Sequence, residues 1–125
     1  MNTLQQLSDQ WAVLLTTYKR DGTPVGTPVS IAVDGDHGYI RSPGNAWKVK
    51  RIARNPQVEL APSTARGRVT GPAIKAVARQ LEGEEAERAA HALRHKHPVL
   101  QGIAVPIAHR LMRCGTAYFE VRATA

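Results

Sequence analysis

Lys48, Lys50 and Arg51 stand within four residues at the head of a short helical pattern, directly after Ser42-Pro43-Gly44-Asn45-Ala46-Trp47. A helix N-terminus is already electropositive, from aligned peptide dipoles and unpaired N–H groups, and it ordinarily attracts acids. Cations placed there call for an anion from outside the chain, and phosphate is the simplest candidate. On a helical wheel Ala46, Val49, Ile52 and Ala53 form an apolar face, Trp47, Lys50, Arg51 and Arg54 point away from it, and Lys48 lies at the boundary beside Ile52. The Lys48 stem can then rest on the core edge while its ammonium reaches the turn where Ser42 and the first helical N–H groups converge. A hydroxyl, a point charge and a helix start in one place suit a phosphate ester, whose oxygens each need a donor. A solvated basic face is the competing reading of the same run.

Charge is spread unevenly along the 125 residues, whose formal net charge is +7. Segment 37–81 carries nine cations (Arg41, Lys48, Lys50, Arg51, Arg54, Arg66, Arg68, Lys75, Arg79) against one acid, Glu59. Such clustering points to an anionic partner, a phosphorylated cofactor or a nucleic acid, more than to general solubility. A single-stranded nucleic-acid barrel would stack bases on aromatics, and only Trp47, Tyr39 and Tyr18 are available in the basic half. His91 and His95 have the i, i+4 spacing of metal ligands, but no carboxylate or Cys completes a set, so no metal is expected. Cys114 reads as an ordinary small residue beside Arg113, and a lone cysteine excludes an internal disulfide and fits a reducing cytoplasm. The first residues have no basic leader pattern, and no apolar run approaches the ~18 residues of a membrane span, so a cytoplasmic protein without a membrane partner is expected.

The elements that must position these groups read as mainly β with peripheral helices, in a single domain spanning 1–125. Thr3 caps a short opening helix with Leu4, Leu7 and Trp11 on one side. A strand over 12–18 ends at the Asp21-Gly22 turn, and a second runs over 25–33, where Pro24 and Pro28 imply an edge or a bulge. Asp34-Gly35-Asp36 turns the chain into a third strand at 37–42, followed by a helix over 46–54 that Asn55-Pro56 ends. A fourth strand starts at 58–61, a fifth covers 68–78 with an interruption near Gly71-Pro72, and a closing strand covers 116–121. Segment 82–96 is helical, with Glu82, Glu84, Glu85 and Glu87 early, Arg88, Arg94 and Lys96 late, and an apolar stripe of Ala86, Ala89, Ala90 and Leu93. Segment 99–112 has helical apolar spacing broken by Pro106 and reads as core or interface.

In order and spacing, Leu14-Leu15-Thr16-Thr17, Asp21-Gly22-Thr23-Pro24, Gly26-Thr27-Pro28-Val29, Tyr39-Ile40-Arg41-Ser42, Trp47-Lys48-Val49-Lys50-Arg51-Ile52, Arg54-Asn55-Pro56-Gln57-Val58-Glu59-Leu60-Ala61-Pro62 and Arg66-Gly67-Arg68-Val69-Thr70-Gly71 resemble the pyridoxamine 5'-phosphate oxidase-like split-barrel family. Within it the chain is most similar to the actinobacterial branch of F420-dependent oxidoreductases. The resemblance implies an FMN-binding split β-barrel, a homodimer with cofactor sites at the subunit interface, and hydride transfer between deazaflavin F420 and a small organic substrate. It implies that Thr27, Pro28, Val29 and Ser30 border the cofactor ring and that Arg41 and Ser42 face its phosphate end. Trp47 and Lys48 match the pair whose second residue binds phosphate, with Lys50 and Arg51 assisting and Arg66-Gly67-Arg68 reaching the partner's site. FMN is the alternative cofactor. The more anionic deazaflavin tail suits the basic block, and Trp47 stands where the flavin oxidases usually have Arg. The end of the chain, Glu120-Val121-Arg122-Ala123-Thr124-Ala125, lacks the Trp and Arg that serve vitamin B6 oxidation, so that activity is not expected. A cofactor carrier of the same fold is a further alternative. The proton donor is open among Tyr39, Tyr18 and solvent.

Overall fold

Alternation of large apolar residues makes Ala12–Tyr18 the first strand, β1, with Val13, Leu15 and Thr17 buried on one face. The computed structural model describes residues 4–10, 12–44, 46–96 and 116–124. The expectations placed on Thr3, Trp11, segment 99–112 and Cys114 lie outside the described residues. The remaining elements are β2 (Pro24–Val29), β3 (Ile31–Asp34), β4 (His37–Pro43), α1 (Trp47–Arg54), β5 (Gln57–Ser63), β6 (Ile74–Leu81), α2 (Gly83–Lys96) and β7 (Thr116–Ala123), preceded by a 3-10 turn at Leu4–Leu7. All strand pairs are antiparallel, in the order β2-β1-β5-β6-β7-β4-β3.

One residue, Ser30, joins β2 at one edge of this seven-stranded sheet to β3 at the other. Successive Cα atoms are about 3.8 Å apart, so the two edges must meet within roughly 7 Å at that corner. The sheet therefore curls into a half-barrel, split along the rest of its seam. Residues 25–33, expected as one strand, are two strands on opposite edges. The alternation of apolar residues runs through Ser30 unbroken, so periodicity alone does not reveal a corner made by sheet curvature. Pro24 and Pro28 do sit on an edge strand, where a missing N–H costs no ladder bond.

The barrel interior is filled by Val13, Leu15, Ile31, Ile40, Val58, Leu60, Ile74, Phe119 and Val121, with Leu4, Leu7 and Ile52 packed against them. α2 lies on the outer face, over β7, β4 and β3, and buries Ala89 and Leu93 there. The fifth strand begins later than its sequence suggests. Residues 64–70 instead form a turn in which the Thr64 carbonyl accepts from Gly67 N–H, Thr64 N–H donates to the Arg68 carbonyl, and only Val69 bridges back to Ser63.

Candidate functional site

α1 leans on the barrel through Ile52, which is buried, and Val49, which packs against the core edge. Its N-cap is Ala46, which has no side chain able to accept from the first-turn N–H groups, and no acid stands in that turn. Successive helical residues turn by about 100°, so the buried arc separates two flanks. Lys48 occupies one flank, half-buried, and its pKa is lowered by burial and then by the neighbouring Arg51 charge. A cation desolvated beside a second cation is stabilised by a bound anion that neutralises both.

Lys50 occupies the other flank, where its ammonium lies 4.5 Å from the centroid of the Trp47 ring. Trp47 itself is 69% exposed. Arg54 donates from Nη2 to the Tyr18 carbonyl at 3.1 Å, which ties the helix to the end of β1 and the turn after it. Together Lys19, Arg20, Trp47, Lys50, Arg51, Ala53 and Arg54 line an open groove of about 850 Å³. Ala53, expected on the buried face, is exposed and lines this groove, because the helix rests on a narrower apolar arc than the wheel suggests. Lys19 and Arg20 are the functional candidates that sequence reasoning missed. They lie about thirty residues before α1, and only the packing of α1 on β1 brings them to it.

The structure also separates Arg41 from Ser42. Adjacent residues of a regular strand face opposite sides, and β4 pairs with β7 without a bulge. Ser42, 2% exposed, lies opposite Ala117 on the inner face. Arg41, 7% exposed, lies opposite Tyr118 on the outer face, with its guanidinium 5.4 Å from that ring's centroid and Arg94 of α2 nearby. Burial lowers the Arg41 pKa, and the Tyr118 interaction opposes that shift.

Thr27 and Val29 face inward on β2, opposite Leu15 and Val13, whereas Pro28 faces outward and Ser30 marks the corner between the edges. Among the described residues no strand pairs with the far edge of β2, so its alternate backbone groups are open to a ligand or a partner. A Cβ on Gly67 (φ 92°) would lie 3.6 Å from both Leu14 and Pro28, so the Arg66-Gly67-Arg68 tip sits over the Pro28 side of the same chain's β2. The candidate set thus divides into an edge strand with a basic turn above it, an α1 flank holding Lys48, and a second flank holding Trp47 and Lys50, with Arg51 between the two, acting on Lys48 and lining the groove.

Both tyrosines considered as proton donors lie on the outer face. Tyr18 donates to Glu59 Oε2 at 2.5 Å, and that bond, followed by burial and the Glu59 charge, pushes its pKa up to about 12. Tyr39 has its pKa raised by burial and then by Asp34 and Glu120, and its hydroxyl lies 3.1 Å from His37 Nε2. With His37 Nδ1–H donating to Asp36, Nε2 accepts from Tyr39. His91 and His95 are exposed and stacked at 6.4 Å, and no group of three or more metal-ligating side chains is gathered among the described residues. No helix among them is long and apolar enough to cross a membrane.

An edge-joined, curled antiparallel sheet with a basic helix at its side defines a split barrel. Residues 2–110 match the family described as pyridoxamine 5'-phosphate oxidase, and the chain belongs to that family. No curated protein sequence matches it. Among solved structures it is similar to the heme storage protein HutZ from Vibrio cholerae, at 13% identity and a TM-score of 0.73, covering 98% of this chain and 88% of that one. It is similar to an FAD-binding protein from Mesorhizobium loti, at 17% identity and a TM-score of 0.67, covering 97% and 86%. It is also similar to an F420 reductase, at 16% identity and a TM-score of 0.56, covering 100% and 95%. At these identities the likeness is one of fold.

Proposed function

We propose that the protein is an oxidoreductase that binds deazaflavin F420, with FMN as the alternative cofactor, and transfers a hydride to or from a small organic substrate. The observation that carries this reading is the half-buried Lys48, desolvated beside Arg51 at a helix start that no side chain caps. These groups fit a phosphate ester: two cations and first-turn N–H groups offer donors, and no acid in the first turn competes. Lys48 and Arg51 would hold the phosphate, with Ser42 at the end of β4 assisting, and Thr27, Pro28, Val29 and Ser30 would border the ring along the open edge of β2. When bound, the cofactor supplies the redox chemistry.

The protein's part is to bind and orient. The edge of β2 offers fixed backbone donors and acceptors, which hold a flat ring at low entropic cost. Tyr18 is committed to Glu59 and Tyr39 to His37, so neither hydroxyl is assigned to proton transfer, and solvent is the proposed donor. A homodimer that completes the open edge of β2 belongs to the same reading. The test is equilibrium titration of the purified protein with F420 and with FMN, followed by cofactor fluorescence. Saturable binding of F420, tighter than FMN, is expected. Binding of neither would sink the reading, and tighter FMN binding would transfer it to the alternative.

A further inference from the structure

Two arginines on the outer face of the sheet are paired with acids. Arg79 meets Glu85 at 2.7 Å and Glu120 at 3.6 Å, and Arg122 meets Glu120 at 2.9 Å and Asp36 at 3.2 Å. The groove between α1 and the β1–β2 turn differs. Five of its seven lining residues are cations, none is an acid, and among the described residues none of the five forms an ion pair. Asp21, which follows Arg20 and feels the Lys19 charge, does not line the groove, and five like charges gathered in one concave surface raise its potential and concentrate anions there. At its lip stands Trp47, whose 69% exposure shows that it is not a packing residue of this chain. An exposed indole offers a stacking surface for a planar ring.

We infer that this groove is a second ligand site, centred on Lys19, Arg20, Lys50 and Arg54 and bordering the Lys48 flank at Arg51, for a nucleoside diphosphate or a larger molecule carrying one. The pyrophosphate would lie between Lys19, Arg20 and Arg54, which offer charged donors from two elements, and the base would stack on Trp47. Lys50, 4.5 Å from that ring, is placed to bridge the two ends. The volume of about 850 Å³ falls in the usual range for small-molecule sites. With one aromatic in the groove, a single base is favoured over a strand of nucleic acid, which would need a succession of stacking surfaces. The inference does not rest on the proposed cofactor.

The experiment titrates the full chain with ADP, inorganic pyrophosphate, oligoglutamate and a short oligothymidylate. It follows tryptophan emission, with Trp47→Phe isolating the Trp47 signal, and calorimetry for the silent ligands. Expected are quenching by ADP, weaker binding of pyrophosphate, a loss of about tenfold or more in ADP affinity in Arg20→Glu and in Lys50→Glu, and unchanged ADP affinity in Lys48→Ala. F420 and FMN titrations of Arg20→Glu keep the two sites distinct. No binding of ADP, or ADP affinity indifferent to Arg20→Glu, overturns the inference. So does equal weakening of F420 or FMN by Arg20→Glu, because the groove would then be part of the cofactor site. Oligoglutamate or oligothymidylate binding as tightly as ADP also overturns it, as does conversion of a parent dimer to a monomer by Trp47→Ala.

Discussion

At the scale of the residue, two side chains carry most of the physical argument. Lys48 is held at a cost: burial and Arg51 lower its pKa below the ordinary 10.5, so between the folded and unfolded values the unfolded chain binds more protons. Stability of the cofactor-free protein therefore rises with pH through that window. Lys48→Met should raise the Tm of the cofactor-free protein at neutral pH by about 1–3 °C while weakening cofactor binding, the usual trade between stability and site; a fall in Tm would contradict it. Tyr18 has the opposite sign. Its pKa is raised from 10.0 to about 12, so its bond to Glu59 contributes fully below pH 10 and is lost as pH climbs through 12. Tyr18→Phe should cost about 1 kcal/mol below pH 10, a figure already discounted for partial solvent exposure, and the gap to the parent should close on alkalinisation in urea titrations. A gap that stays constant with pH would place the effect in packing.

At the scale of the element, the turn between β5 and β6 shows how closely local structure is tied to the site. A Cβ on Gly71 would come 2.7 Å from the Pro62 ring, which cannot swing away as a flexible chain would. Gly71→Ala should destabilise the fold by about 1–3 kcal/mol in denaturant melts and shift the turn over Pro28; a neutral outcome would show that the turn is free to move. Most elements here were legible from the sequence. The Asp21-Gly22 and Asp34-Gly35 turns need positive φ, which Gly22 (89°) and Gly35 (65°) supply, and α2 carries acids and cations at the ends its dipole favours. The corner at Ser30 was not legible, because nothing in the alternation of Val25, Thr27, Val29, Ile31 and Val33 marks a change of sheet edge. The late start of β6 has a similar origin: the turn around Gly67 uses the Arg68 N–H and carbonyl for bonds to Thr64, and Val69 makes only an isolated bridge to Ser63.

At the scale of the whole molecule, charge and topology together determine where a ligand can go. The curled sheet leaves one strand edge open, and α1 divides the basic run into two flanks that a linear reading merges. Lys48 and its surroundings were legible because spacing on a single helix defines them. The groove was not, since Lys19 and Arg20 join Lys50 and Arg54 only through tertiary packing. The net charge of +7 predicts that anionic ligands of either flank bind more weakly as salt rises; isothermal titration at several salt concentrations checks this, and salt-independent affinity would argue against charge recognition.

The central claim is that the Lys48 flank holds the cofactor phosphate. It is tested most directly by F420 affinity, read from cofactor fluorescence, in Lys48→Ala beside Lys50→Ala on the opposite flank. The account predicts a loss of about tenfold or more for Lys48→Ala, from one charge-assisted contact, and little change for Lys50→Ala. Unchanged affinity in Lys48→Ala, with the loss appearing in Lys50→Ala instead, would contradict it.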